Sequence, residues 1–248
     1  MKQAMVFAAG LGTRLRPLTD NMPKALVRVG GQPLLWHVVM KLKAAGFERI
    51  VVNVHHFAGQ IEAYLAENWN FGLDIRISDE SSMLLETGGG IRRALPFFDP
   101  ESPILIHNVD ILSNVDLAAF YAHAGRYDAT LLVSQRTTKR YLLFSEQMML
   151  RGWTNIETGE VRSPFFNVKT ENNKMLAFSG IHVVAPQMLH LLDAMPERFG
   201  IVDFYLKYCD RCAIHGYEKT DLRLMDVGKI ETIGEAEAFL AVTEKNIR

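Results

Sequence analysis

A doubly wound, mostly parallel α/β sheet with an antiparallel insertion is the fold the sequence predicts, on three observations. Short apolar runs alternate with amphipathic helical stretches through the first half of the chain. The first of those runs leads straight into a glycine-rich loop. In the second half the rhythm changes to strands separated by turn signals.

The elements follow in order. AMVFAAG is a short apolar strand, and PLLWHVVMKLKAAGF carries Leu34, Leu35, Val38, Val39 and Leu42 at helical spacing, stopping at Gly46. RIVVNVHH is a continuous apolar strand of the kind buried on both faces. AGQIEAYLAEN is a helix, DIRISDE a strand, TGGGIRRALPFF a glycine-opened helix, and PILIHNVDIL a strong strand. Further on, DATLLVSQ, YLLFSEQ, MLRGWTNIETGEVR and KMLAFSGIHVVAP read as strands that add antiparallel members. PQMLHLLDAM and VDFYLKYC read as helices, and RLMDVGKIETIGEAEAFLAVTEKN as a loop entering a closing amphipathic helix. No repeat, low-complexity segment or linker interrupts this, so residues 1–248 are expected to form one domain with a lid-like insertion in the second half.

Composition narrows the partners. Lys plus Arg number 27 against 28 acidic residues, so a net charge of -1 gives no reason to expect binding to nucleic acid or to an anionic membrane. Any handling of phosphate must then be local. The N-terminal apolar run is too short for a signal peptide, and no stretch approaches the roughly 20 apolar residues of a membrane span. Cys209 and Cys212 make no disulfide framework, which points to a reduced cytoplasm.

The loop Gly10-Leu11-Gly12-Thr13-Arg14-Leu15 fits neither familiar phosphate loop. A dinucleotide fingerprint wants glycine where Leu15 stands, and no GK[ST] opens a helix as a P-loop requires. A glycine turn at the carboxyl end of the first strand is nonetheless where an open α/β sheet binds ligands, its N–H groups forming an anion nest. Arg14 adds a charged fork and Lys24 a point charge. The competing reading is a plain glycine turn with solvated basic residues, and the RLRP and MPKAL continuation speaks against it.

From Ala8 to Leu35, AAGLGTRLRPLTDNMPKALVRVGGQPLL resembles the N-terminal signature of the sugar-1-phosphate nucleotidyltransferases. These enzymes join a nucleoside triphosphate and a sugar 1-phosphate into an NDP-sugar and pyrophosphate. ETGGGIRRALPFF resembles the family's segment lining the nucleobase, and LIHNVDIL the strand ending in a metal-binding aspartate. AFSGIHVVAP is similar to the sugar-site strand, and MDVGKIETIGEAEAFL to the closing segment with the second metal aspartate. The likeness covers residues 3 to 240, and within the family it looks nearest to the short enzymes resembling N-acetylmuramate-1-phosphate uridylyltransferase and mannose-1-phosphate guanylyltransferase. It implies a Rossmann-like fold with a nucleotide-binding half over 1–130, a sugar-binding half over 131–225 and a closing helix over 226–248.

The resemblance also implies the site. Ala8, Ala9, Gly10, Gly12, Thr13 and Arg14 would hold the triphosphate, with Lys24 and Arg14 stabilising charge at the reacting centre. Asp110 and Asp226 would hold Mg2+, which takes oxygen ligands and often only one or two carboxylates. Each is equally readable alone as a structural strand-end aspartate, a reading weakened by finding two of them in apolar contexts. Many relatives have glycine where Val109 stands, so backbone approach there is expected to differ. Glu86, Thr87 and Gly88 would line the base. Glu86 replaces a glycine of many relatives and either reads guanine N1–H and N2–H or caps the following helix, the cap being favoured.

Asn155, Gly180 and Asp203 are the sugar-site candidates, each with a structural alternative, because the family's glutamate-lysine pair is not visible after residue 150. Trp153 is either an aromatic wall or core. Cys209, Cys212 and His215 form at most half a zinc site, and His55-His56 lack a partnering motif, so both groups are read as structural. The expected activity is Mg2+-dependent uridylyl or guanylyl transfer. The alternative is a catalytically silent protein of the same fold that binds nucleotide or NDP-sugar and regulates a partner, which would be expected to lose one of Arg14, Lys24, Asp110 or Asp226; the oligomeric state is left open.

Overall fold

The computed structural model describes residues 1–245. The chain opens with β1 (Gln3–Phe7), a small hairpin of β2 (Arg28–Val29) and β3 (Gln32–Pro33), and α1 (Leu34–Ala44). Then come β4 (Arg49–Val54), α2 (Ala58–Glu67), β5 (Asp74–Asp79), α3 (Glu86–Ala94), β6 (Ile104–Asn108), β7 (Ile111–Ser113) and α4 (Leu117–Ala124). The second half supplies β8 (Ala129–Ser134), β9 (Arg140–Phe144), β10 (Leu150–Asn155), β11 (Glu160–Arg162) and the long β12 (Lys174–Val184). It closes with α5 (Pro186–Leu189), α6 (Ile201–Tyr208), β13 (Ile214–Glu218), β14 (Leu224–Asp226) and α7 (Thr232–Lys245). Among the described residues no helix is long and apolar enough to cross a membrane.

The parallel core runs β6-β1-β4-β5. The chain walks from β1 outward to β5, then returns through α3 to place β6 on the other side of β1. The crevice beyond the carboxyl ends of β1 and β6 is therefore the topological switch point, where open α/β sheets bind ligands. β12 runs antiparallel to β6 and joins the halves: one stretch pairs with β8, which carries β13 parallel to it, and its first residues pair with the β9-β10-β11 meander. The antiparallel members predicted for the second half are thus part of the same ten-stranded sheet.

Alternation along the buried strands sorts the core onto two faces. Ala4, Val6, Ile50, Val52 and Leu105 pack with α1, α4 and Ala236 of α7 on one side. Met5, Val51, Ile104 and Ile106 pack with Ile91 and Ala94 of α3 and Phe204 of α6 on the other. Leu34, Leu35, Val38, Val39 and Leu42 of α1 are all fully buried, as the helical spacing requires.

The structure departs from the sequence reading at several elements. PILIHNVDIL is two strands, because the chain leaves the main sheet after Asn108 and Ile111–Ser113 pairs instead with β14 in a separate two-stranded ribbon. PQMLHLLDAM makes one α-turn and then tightens into a 3-10 turn over His190–Ala194. α4, capped by Asp116 accepting from the Ala119 N–H at 3.0 Å, and β13 are elements the sequence reading did not contain. Of the expected closing segment 226–248, residues 246–248 lie outside the described residues.

Candidate active site

A cavity of about 450 Å³ occupies the switch point. It is walled by the loop after β1, the ends of β4 and β5, the start of α3, the end of β6 and Gly228 after β14. Ala8, Ala9, Gly10, Gly12, Thr13, Arg14, Lys24, Glu86, Thr87 and Asp110 all line it; Gly88, Asp226, Asn155, Gly180 and Asp203 do not themselves form its wall.

The loop owes its shape to one glycine. Gly12 has φ +63°, and a Cβ there would stand 2.9 Å from Thr19 Cγ2 and 3.1 Å from Lys24 Cβ. Its carbonyl accepts from the Leu15 N–H and the Thr19 hydroxyl, both at 2.8 Å, making a 3-10 turn over Thr13–Leu15 rather than a helix. Leu15 is fully buried beneath it, which explains why a side chain replaces the third glycine of a dinucleotide loop. Among the described residues the Gly10, Leu11 and Gly12 amides donate to no protein acceptor, and all three residues line the cavity. The Ala8 and Ala9 amides are already used: both donate to Asn53 Oδ1, at 2.8 and 3.4 Å.

Asn53 and Glu80 are site residues that sequence reasoning missed. Asn53 Nδ2 donates to Glu80 Oε1 at 2.7 Å, and the Leu85 N–H donates to Glu80 Oε2 at 3.2 Å. Both residues are buried, so this relay fixes the loop after β1 against β4, β5 and the entry to α3. The signal was present: an asparagine inside RIVVNV, a strand buried on both faces, needs a polar partner.

At the other side of the mouth Lys24 forms an ion pair with Asp110. Lys24 is buried rather than solvated. Asp226 reaches this place through the ribbon: it pairs with Ile111, and the Val227 N–H donates to the Asp110 carbonyl at 2.9 Å. A Cβ placed on Gly228 would lie 2.8 Å from both Arg14 Nη2 and Asp226 Oδ1, so those two side chains converge over that glycine. Asp226 is exposed, yet surrounding protein partly desolvates its carboxyl and pushes its pKa up, the Asp110 carboxylate adds to the rise, and Lys24, Arg14 and Arg136 pull against it. Two carboxylates forced together beside cations form an oxygen-only donor set that suits a hard divalent cation taking its remaining ligands from phosphate and water. Among the described residues no group of three or more His, Cys, Asp or Glu is placed to hold a metal alone.

The start of α3 is held from the opposite wall. The Gly88 and Gly89 amides donate to the Phe199 carbonyl at 2.9 and 3.3 Å, and Thr87 Oγ1 accepts from the Ile201 N–H at 2.8 Å. Gly88 has no room for a side chain, since a Cβ would sit 2.1 Å from the Phe199 ring. Gly88→Ala is therefore expected to cost about 1–3 kcal/mol through overpacking, read as a lower midpoint in chemical denaturation. An unchanged midpoint would mean that Phe199 swings aside freely.

Glu86 takes φ +63°, the left-handed region that glycine occupies without strain. The Glu86 side chain makes no capping hydrogen bond; it stands in the first turn of α3, where negative charge suits the helix dipole, and its carboxylate accepts from Arg198 Nε at 3.0 Å. Of the sugar-site candidates, Gly180 lies at a register shift in β12 with φ +71°, its Cα face 2.7 Å short of Asn108 Nδ2 for any added Cβ. Asn108 lines the cavity, so Gly180 abuts the site from behind. Asp203 pairs with Arg162, near the rim that Glu86 shares at Gly200. Asn155 sits at the β10-β11 turn, accepting from the Glu157 N–H at 3.1 Å, and is not brought to the cavity. Trp153 lies on the same hairpin, 5.6 Å from the Arg162 guanidinium. Burial pushes the Cys209 thiol up to about 12, and both cysteines are free.

Comparison with known proteins shows what the chain as a whole is similar to. A model of the nucleotidyl transferase family matches residues 3–242. N-acetylmuramate alpha-1-phosphate uridylyltransferase of Caulobacter vibrioides is 45% identical over 55% of this chain and 59% of its own length. Mannose-1-phosphate guanylyltransferase of Mycobacterium tuberculosis is 34% identical over 52% of this chain and 36% of its own length. These alignments therefore span less than two thirds of the curated relatives. In fold, UDP-glucose pyrophosphorylase from Acinetobacter baumannii superposes with a TM-score of 0.78 at 19% identity, covering 98% of this chain and 94% of the other.

Proposed function

The chain belongs to the nucleotidyl transferase family, and from that premise we propose that it transfers a nucleoside monophosphate from a triphosphate to a sugar 1-phosphate, releasing pyrophosphate. The observation that carries this reading is the meeting of Arg14, Lys24, Asp110 and Asp226 at the mouth of a cavity lined by the Gly10–Gly12 loop. Two anionic reactants must be brought together, so the protein has to neutralise charge and hold both in line. The Gly10–Gly12 amides and Arg14 bind the triphosphate, and Lys24 stabilises charge on the phosphate under attack. No side-chain nucleophile is needed, because the sugar phosphate arrives already ionised.

Asp110 and Asp226 would hold Mg2+, which when bound supplies charge neutralisation on the phosphate oxygens. A reaction of this kind belongs where nucleoside triphosphates are made, in the cytoplasm.

We read the base as uracil. The uridylyltransferase relative is more similar to this chain than the guanylyltransferase one. In addition, one oxygen of Glu86 already serves Arg198, which leaves its carboxylate poorly placed to take both guanine N–H groups. Glu86→Gln should accordingly leave the ratio of UTP to GTP affinity within about twofold, because the amide oxygen keeps the Arg198 bond; this ratio falls well within one hydrogen bond's worth. Competition binding decides it, and a selective loss of GTP would reverse the assignment. The activity itself is tested by pyrophosphate release over a matrix of four nucleoside triphosphates and several sugar 1-phosphates. Release that needs both substrates and favours UTP supports the reading; tight nucleotide binding with no release from any pair would contradict it.

A further inference from the structure

We propose that Lys41 is a positioning residue for the cation site: from α1 it grips the far end of the β7-β14 ribbon and thereby sets the spacing of Asp110 and Asp226. The inference rests on the reading of those two aspartates as the carboxylates of a divalent-cation site.

The ribbon is three residue pairs long, with Leu224 opposite Ser113, Met225 opposite Leu112 and Asp226 opposite Ile111. It makes no ladder with the ten-stranded sheet, to which it is tied at the Asp110 end by the Val109 N–H donating to the Phe7 carbonyl at 3.2 Å and by Ile111 and Leu112 in the core, leaving its Ser113 end to other contacts. Asp110 and Asp226 lie together at one end. At the other end Lys41 Nζ donates to the Ser113 carbonyl, and to the Ser113 hydroxyl at 2.9 Å. α1 is also tied to the loop bearing Lys24, because the Leu34 N–H donates to the Val27 carbonyl at 2.9 Å. One rigid helix thus sets both the lysine that pairs with Asp110 and the strand that follows Asp110.

An apolar contact would hold the ribbon more cheaply than a cation does. Burial pulls the Lys41 ammonium down to about 8 against the opposing pull of Asp116, so the fold bears a cost to keep it there. What a lysine adds over an apolar residue is direction: two hydrogen bonds to one residue fix the height of the ribbon along the helix axis. Partners hydrogen-bonded directly to a metal ligand typically change metal affinity by 10- to 100-fold when lost, and Lys41, which acts through Ser113 three residues from Asp110, is expected at the low end of that range.

The test is Mn2+ binding followed by electron paramagnetic resonance, with a non-hydrolysable α,β-methylene analogue of UTP present. Lys41→Met keeps the length of the side chain without its donors, and Ser113→Ala removes only the hydroxyl acceptor. We expect Mn2+ to bind about tenfold more weakly to Lys41→Met, and more weakly to Ser113→Ala by a smaller factor. Binding of the analogue in the presence of EDTA should be unchanged in both. If Lys41→Met is folded and binds Mn2+ like the wild type, the proposal is overturned; should that variant fail to fold, wild-type Mn2+ binding by Ser113→Ala overturns it. Failure of the wild type itself to bind Mn2+ would overturn the cation site and this inference with it.

Discussion

Lys24→Ala should lower kcat/KM by about 10²- to 10³-fold, the usual loss when one donor aimed at developing charge is removed. The structure adds a second consequence. Lys24 is buried and paired with Asp110, whose carboxylate faces that of Asp226. Removing the cation leaves two carboxylates together without it, so the variant should also melt lower than the wild type. Lys24→Ala combined with Asp110→Asn should recover stability without recovering turnover, because the buried charge is then gone while the phosphate donor stays absent. Arg14→Ala separates the two effects differently. Arg14 is exposed, so its loss should cut turnover strongly and lower the melting temperature less than the loss of Lys24 does. Turnover within a few-fold of wild type in either single variant would remove that residue from the reacting centre.

Asp226→Asn should abolish most activity and yet raise the stability of the metal-free protein at neutral pH. The sign follows from the direction of its shift. The folded protein holds the Asp226 carboxyl above its ordinary value, through desolvation first and Asp110 second. The fold therefore favours the protonated form, and above the folded pKa it carries the cost of an ionised group that the unfolded chain does not. Replacing the carboxylate by an amide removes that cost. As pH falls through the folded pKa of Asp226 the wild type should close the gap, because its own carboxyl becomes neutral. Asp110→Asn should share the loss of activity, with extra Mg2+ restoring only part of it, but it also strips Lys24 of its partner and should not stabilise. Thermal melts across pH in EDTA check both; an Asp226→Asn protein that melts lower than wild type at pH 7 would make that aspartate a structural one.

The parts legible from sequence are those whose physics is local. Helical spacing gave all five core residues of α1, and the glycine turn after the first apolar run marked the mouth of the cavity. What escaped depends on distant pairing or on ambiguous local signals. LAAFYAHA is apolar on most faces and short, so neither period stands out, and only its Asp116 cap distinguishes it. β13 contains Gly216, which reads as a break; the structure needs it because a Cβ there would sit 2.8 Å from the Phe144 ring. The meeting of Asp110 and Asp226 is implied by the family resemblance, but the β7-β14 pairing that produces it is one that three-residue strands do not announce. For Asn53 the sequence holds half the signal, a polar residue in a strand buried on both faces; its partner Glu80, just after β5, emerges only once the sheet order puts β4 beside β5. Asn155 illustrates the converse: a polar residue in a plausible context whose side chain is spent on its own turn.

The central claim is transfer at the α-phosphorus, and the fate of that phosphorus tests it most directly. UTP labelled with ³²P at the α position, incubated with Mg2+ and a sugar 1-phosphate from which the protein releases pyrophosphate, should pass its label into a sugar nucleotide. The released pyrophosphate should carry none. Label that stays in free UDP or UMP while the γ-phosphate is released or transferred would place the attack at another phosphorus and contradict the assignment.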